Sequence, residues 1–278
     1  MCLILFSFQP DSSTPLLLGA NRDEFFSRAT QSAGYWSDAS TVLAGRDLVA
    51  GGTWLGITTN GRFAAVTNVR EPIKPGVKLR SRGDLTREFL TGKQSAEAFL
   101  SQLQTHADDY AGFNLLLGEF DSETGHQLYY FSNRSEGIRK LDSGIYGLSN
   151  HLLDSSWPKV DEGKQRLAQV ADTWDQHQPI NHQVIRTLLE NPAMAADDRL
   201  PDTGIAYERE KALSSAFITL DDYGTRASTV LTISNETVAF SEQNYSPSND
   251  GAVNKQEGVR YFQLSPCQPR ESALGSTG

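Results

Sequence analysis

Cysteine is nearly absent from this chain. Cys2 and Cys267 stand alone at opposite ends of 278 residues, which excludes a disulfide framework and suits a reducing compartment. Long apolar runs are absent too, and none approaches the ~20 residues needed to cross a bilayer. The opening Cys2-Leu3-Ile4-Leu5-Phe6-Ser7-Phe8 stops at Gln9-Pro10-Asp11 with no basic residue before it, too short for a secretory h-region. The expectation is a cytoplasmic protein with no integral membrane association. There is no Lys/Arg run, and the formal charge is -9, so nucleic acid and anionic membranes are not expected partners. Metalloprotease, zinc-finger and Cys-x-x-Cys-His spacings are missing, so no metal site and no required cofactor are expected. No internal repeat is visible, and the oligomeric state stays open.

What is present is the composition of a globular protein, with 38% hydrophobic and 21% charged residues. Apolar and β-branched runs predict strands at residues 3–8, 16–20, 53–59, 62–69, 113–120, 127–131, 144–149, 216–220, 226–234, 237–243 and 258–264. Asn60-Gly61 is the strongest hairpin signal among them. Helical segments are expected at 83–91, at 95–106 with Ser95 as cap, at 157–174 and at 181–190. A Pro/Gly loop covers 71–76, and a polar loop covers 191–204. Hairpin-rich strands with segregated helices point to an α+β fold of antiparallel sheets covered by helices. The reading is one domain over 1–264 and a flexible tail over 265–278.

The chemistry-bearing candidates begin with Cys2. Methionine is normally trimmed before a small second residue, which would put a thiol and a free α-amine on one residue. That amine, with a pKa of about 7.7–8.0, can take the thiol's proton. The bland alternative is a small hydrophobe in a buried strand. Asn21-Arg22-Asp23-Glu24 follows an apolar strand that can hairpin back onto the first. Asp23 would then orient the amine or thiol while Arg22 supplies a cation. Equally, Asp23 can cap a short helix through Phe25-Phe26, with Arg22 paired on the surface. Asn68 and Asn150 end strands and Arg226 opens one. Side-chain amides suit a developing oxyanion, although a strand-end Asn is usually turn chemistry. Phe25, Phe26, Trp36 and Trp54 can wall an apolar cleft or be plain core. Arg22, Arg70 and Arg226 can clamp carboxylates. His106, His126, His177 and His182 are read as solvated.

Taken together, these features resemble the NRDE family, named for the tetrapeptide at 21–24 and including the transport and Golgi organisation protein 2 homologues. The resemblance runs nearly end to end. It is carried by Met1-Cys2, Ala20 to Phe25, Gly51-Gly52-Thr53-Trp54-Leu55-Gly56-Ile57, Ala65-Val66-Thr67-Asn68 and Gly112-Phe113-Asn114-Leu115. Tyr146-Gly147-Leu148-Ser149-Asn150 with Trp157, and Tyr223-Gly224-Thr225-Arg226, complete it. The family in turn looks like N-terminal-nucleophile (Ntn) hydrolases of the penicillin V acylase and bile-salt hydrolase type. The resemblance therefore implies a four-layer αββα sandwich and the catalytic set Cys2, Arg22, Asp23, Asn68, Asn150 and Arg226. Those hydrolases commonly place their Arg before the Asn of an Asn-x-Asp step, whereas Arg22 lies between Asn21 and Asp23. Expected ligand contacts are Asn21, Glu24, Phe25, Trp54, Arg70 and His151.

The resemblance also implies a function. Members are associated with haem trafficking, so the primary expectation is an amphipathic carboxylate-bearing ligand, haem above all, with Cys2 or His151 as axial ligand. The alternative is a Cys2 hydrolase acting on a C–N amide or acyl thioester. A third reading is an interaction module with a dead site.

Overall fold

Both faces of the first strand are covered, which explains why it is apolar at almost every position. In β1 (Cys2–Phe8) and β2 (Leu16–Phe25), Ile4, Phe6, Phe8, Leu16 and Leu18 join a cluster shared by two sheets. Leu3, Leu5 and Leu17 pack instead with helices. Successive strand residues point to opposite faces, so a strand buried on both sides reads as a continuous apolar run. The computed structural model describes residues 2–72, 79–121, 123–174, 178–247, 253–256 and 258–265. Expectations for Met1, His177, Cys267, most of the loop at 71–76 and the tail beyond 265 lie outside the described residues.

The chain continues through β3 (Thr30–Trp36), β4 (Ala39–Asp47), β5 (Leu55–Thr58), β6 (Arg62–Asn68), α1 (Gly83–Thr91) and α2 (Ala96–Gln104). Next come β7 (Phe113–Asp121), β8 (Gly125–Ser132), β9 (Arg139–Lys140), β10 (Gly144–Leu148), α3 (Pro158–Thr173), α4 (His182–Leu189) and α5 (Tyr207–Ala212). The last strands are β11 (Tyr223–Ile233), β12 (Val238–Pro247), β13 (Val253–Lys255) and β14 (Arg260–Leu264). One sheet is ordered β10-β1-β2-β11-β12-β13, with β14 also on β12; the other runs from β3 to β9 in sequence order. The pairings that frame the cleft, β1 with β2 and β10, β2 with β11, and β5 with β6, are antiparallel.

Leu85, Phe89, Leu90, Leu100 and Leu103 seat α1 and α2 on Val42, Ala64, Leu115 and Leu117 of one sheet. Val160, Leu167, Ile185 and Leu189 seat α3 and α4 on Leu3, Leu5, Leu17 and Val230 of the other. The result is the four-layer αββα sandwich of antiparallel sheets, an α+β fold as expected. Each fully buried Leu, Ile or Phe contributes roughly 1.5–3 kcal/mol, so the three apolar layers dominate the stability. Helix α3 lies close on β1: a Cβ added to Gly163 would sit 2.6 Å from Leu5 Cδ1. That contact fixes the strand whose first residue is Cys2.

Local signals set several boundaries. Ser95 accepts from the Ala98 N–H at 3.2 Å and Asn181 from the Gln183 N–H at 2.9 Å, caps worth about 1 kcal/mol each. Gly61, at φ +77°, closes the β5–β6 hairpin, a left-handed conformation that glycine adopts without steric cost. No helix among the described residues is long and apolar enough to cross a membrane.

Other readings need correction. Residues 21–24 lie inside β2, so Asp23 caps no helix. Strands β3 and β4 were not expected, and 216–220 forms no strand, only a bridge from Thr219 to Gly224. His182 is buried between Ser241 and Thr232 rather than solvated, and His126 is half-buried on Phe120.

Candidate active site

Antiparallel pairing does the first positioning. Cys2 stands opposite Arg22 and Leu3 opposite Asn21, so the start of the described chain lies against the tetrapeptide. Cys2 is half-buried. Its carbonyl accepts from Ser149 Oγ at 3.0 Å, and a backbone hydrogen bond from Asp23 reaches its thiol. The sulfur therefore has a fixed place at one end of β1. Beside it opens a cleft of about 360 Å3, whose wall includes Cys2, Arg22, Asp23, Glu24, Trp54 and Asn68.

Arg22 is 5% exposed and lies over the Trp54 ring, 4.3 Å from its centroid. Its Nη2 is 3.8 Å from Glu24 and 3.9 Å from Asp47, while Asp47 takes Arg28 at 2.6 Å. Across the cleft, Asn68 ends β6. The buried Asn150 donates its Nδ2 to both the carbonyl and Oδ1 of Asn68, each at 3.1 Å. Those bonds occupy the Asn68 side-chain oxygen and leave its NH2 as the group able to donate to a ligand.

Burial governs the electrostatics. It pushes the Cys2 thiol above its ordinary range, and the charge of Asp23 adds to that, while Arg22 and the Asp23 backbone bond oppose it. Burial also raises the Asp23 carboxyl, against the pull of Lys159, the Thr225 hydroxyl bond and Arg22. Lys159, buried on α3 with Nζ donating to the Leu213 carbonyl at 2.9 Å, is brought down to about 8 by burial, with Asp23 resisting. Thiol, carboxyl and amine are thus all held nearer neutrality than they would be in water.

Of the expected catalytic set, Cys2, Arg22, Asp23 and Asn68 share the cleft wall, and Asn150 supports Asn68 from behind. Glu24 and Trp54 join them. The other expectations fall elsewhere. Arg226 Nη1 donates to the carbonyls of Phe25, Phe26 and Arg28, so it holds a turn and does not line the cleft. Arg70 is ion-paired with Glu210 and lies over Trp157. Asn21 is buried and donates to the carbonyls of Leu189 and Ala216. Phe25 is exposed and packs edge-on to Tyr223, and His151 is exposed beside Ser155. Trp36 is core.

Sequence reasoning missed Arg28, Asp47, Arg82, Ser149 and Lys159. Ser149 stood inside a quoted motif without a role, and nothing local marked the others. No group of three or more His, Cys, Asp or Glu able to hold a metal occurs among the described residues.

Comparison with known proteins agrees with the sequence resemblance. The family model described as "Transport and Golgi organisation 2" matches residues 1–247. A Bos taurus protein, "Transport and Golgi organization protein 2 homolog", is 34% identical over 245 residues, covering 84% of this chain and 88% of that protein. The Homo sapiens homolog is 34% identical over 248 residues with the same coverages, 84% and 88%. Among solved structures, the Caenorhabditis elegans N-acylethanolamine-hydrolyzing acid amidase ortholog superposes with a TM-score of 0.48 at 9% identity, over 83% of this chain and 92% of that one.

Proposed function

The chain belongs to the Transport and Golgi organisation 2 family, and we propose that it acts from Cys2 as an N-terminal-nucleophile hydrolase. The substrate would be a C–N amide or acyl thioester of an amphipathic, anionic compound. One observation carries the reading. The Cys2 sulfur sits at a cleft wall that also presents Asp23 and an Asn68 amide fixed by Asn150.

The chemistry follows from that arrangement. With Met1 trimmed, the α-amine of Cys2 takes the thiol proton, and the thiolate attacks the substrate's carbonyl carbon. The negative charge that develops on the carbonyl oxygen is met by the Asn68 NH2, a preorganised neutral donor. Collapse of this intermediate breaks the C–N or C–S bond. The proton held on the α-amine goes to the departing amine or thiolate. Water, deprotonated by the same amine, then hydrolyses the thioester on Cys2 and restores the thiol. Asp23 stabilises the ammonium form between the two proton transfers. The reaction needs no cofactor.

Three measurements test this. Intact mass of the protein from its own host should show Met1 removed. A fluorogenic amide and an acyl thioester series should turn over, and Cys2→Ser should abolish that turnover. An electrophilic probe should label Cys2. Retention of Met1, or turnover unaffected by Cys2→Ser, would rule the mechanism out.

The haem reading has one observation in its favour, the guanidinium-rich wall that includes Arg22, Arg28 and Arg82 beside a thiol, since guanidiniums suit propionates. Of the two expected axial ligands, His151 is directed to Ser155, which leaves Cys2. Haem titration distinguishes the readings. A Soret band that disappears in Cys2→Ala, in a protein without turnover, would favour carriage over hydrolysis.

A further inference from the structure

The expected carboxylate clamp of Arg22, Arg70 and Arg226 is not formed, because Arg70 is engaged by Glu210 and Arg226 by backbone carbonyls. The cleft nevertheless carries four guanidiniums, Arg22, Arg28, Arg80 and Arg82, against three carboxylates, Asp23, Glu24 and Asp47. This is a local cationic excess in a chain of net charge -9. The cations are not equivalent. Arg28 is paired with Asp47, and Arg80 with Glu88 outside the cleft. Arg82 has no ion pair among the described residues; its guanidinium donates to the Gly112 carbonyl at 3.1 Å. Arg82 lines the same cleft as Cys2.

Two further features belong to the same cleft. Arg82 is the N-cap of α1, a helix of nine residues whose start carries no side-chain cap, and Ser81 and Gly83 line the cleft with it. The helix start thus adds the positive end of its dipole. It is built in place. A Cβ at Gly52 would overlap the Gly83 carbonyl, Thr53 N donates to that carbonyl at 3.3 Å, and Thr86 Oγ1 donates to the Thr53 carbonyl. Independently, Arg22 on the same wall, 5% exposed, has its Nη1 buried with no hydrogen-bond partner. A buried guanidinium N–H left unsatisfied is costly unless something occupies it.

We propose that the corner formed by Arg82, the start of α1 and Arg22 is an anion subsite that holds a carboxylate or phosphate group of the ligand and presents the neighbouring bond to Cys2. The assignment rests on the Cys2 cleft being the binding site, and it names Arg82 as the residue that selects anionic ligands.

Two alkylating agents of nearly equal size and different charge provide the test, with no substrate needed. Cys2 labelling by iodoacetate and by iodoacetamide is followed on the Cys2 peptide by mass spectrometry, each rate normalised to glutathione. The expected normalised ratio in the parent is roughly threefold or more in favour of iodoacetate at low salt, since one nearby unpaired cation outweighs solvent screening there. The ratio should fall toward one in Arg82→Met and persist in Arg82→Lys. Inorganic phosphate and acetate, added at ionic strength matched with sodium chloride, should slow iodoacetate labelling beyond the chloride control. The stronger of the two identifies the group preferred.

A parent ratio at or below one overturns the proposal. So does a ratio unchanged in an Arg82→Met protein with parental circular dichroism, or no protection by either anion. If Arg82→Met does not fold, the parent ratio and the competition decide. Turnover is a separate readout. A charge preference without turnover keeps the subsite and removes the hydrolase, and turnover without charge preference does the reverse.

Discussion

Mild acid should loosen the layer beneath α4 through His182. Its ring is buried, with Nδ1 2.7 Å from Ser241 Oγ and Nε2 3.1 Å from Thr232 Oγ1. Arg186, one turn along the helix, bonds the same Ser241 at 3.2 Å, and the Tyr261 ring lies 5.7 Å away. Burial first, and the Arg186 charge second, bring the imidazole down to about 4. An unfolded histidine titrates near 6.5, so as pH falls the unfolded chain binds the proton first. Stability from this group is therefore complete above about pH 6.5 and is lost as pH falls toward 4. Between pH 7 and pH 5 the difference in proton binding amounts to about 2 kcal/mol, which corresponds to roughly 4–8 °C in Tm for a domain of this size. The measurement is thermal or urea unfolding at pH 7, 6 and 5, comparing the parent with His182→Gln, which keeps polar atoms for the two hydroxyls and cannot titrate. The parent should lose about 2 kcal/mol more than the variant over that range. Equal pH slopes in the two proteins, or a folded-state imidazole resonance titrating near 6.5, would refute the reasoning.

Glu242 titrates with the opposite sign. Its carboxyl is fully buried, with Oε1 on the Ala33 N–H and Oε2 unpartnered, and burial raises it above its ordinary value. Its contribution is present at low pH and lost as pH rises through the folded value, so Glu242→Gln should be more stable than the parent by about 1–2 kcal/mol at pH 8 and equal to it near pH 4, read from urea midpoints. Gly52→Ala forces a Cβ into the Gly83 carbonyl; it should cost about 1–3 kcal/mol and slow iodoacetate labelling of Cys2 by displacing the start of α1. Asn150→Ala removes both bonds that hold Asn68, and acylation of Cys2 by an activated ester should slow roughly 100-fold by stopped-flow while circular dichroism stays parental.

The fold was legible wherever burial was two-sided or a cap was explicit. β1 announced itself by an unbroken apolar run, and Ser95 and Asn60-Gly61 by side-chain and glycine chemistry. β3 and β4 were not legible. Thr30, Gln31 and Ser32, and Ser40 and Thr41, face solvent in part along half-exposed strands, so neither alternation nor an apolar run marks them. The apolar run of β2 ends at Ala20, so the strand reads as stopping before the charged tetrapeptide, whereas it continues to Phe25. These four side chains are tolerated inside β2 because each has a partner outside the tetrapeptide: Ser228 for Asn21, Trp54 and Asp47 for Arg22, Thr225 for Asp23 and Arg28 for Glu24. Arg82, Lys159 and Asp47 reach the site from three separate elements, and no spacing rule could have gathered them. Only family resemblance linked Cys2 to Asn68 and Asn150, because 66 residues separate Cys2 from Asn68 and a further 82 separate Asn68 from Asn150.

Alternation along β2 explains why the tetrapeptide cannot be treated as four equivalent site residues. Arg22 lies on the cleft side with Glu24, whereas Asn21 faces the helix layer and ties β2 to the end of α4 through the Leu189 carbonyl. Arg226 shows how such a strand is kept in place. The β2–β11 ladder pairs Thr225 with Asp23 and Ala227 with Arg22, and the register shift between them leaves Arg226 as the extra residue of a bulge. A bulge re-aims its extra side chain out of the ladder, and here that side chain gathers the carbonyls of residues 25, 26 and 28. Arg28 is thereby held where its guanidinium meets Asp47, and Asp47 in turn stands 3.9 Å from Arg22. The effect of Arg226 on the cleft is transmitted through that sequence of contacts. Its removal should therefore act on the position of Arg22 and leave the nucleophile itself in place.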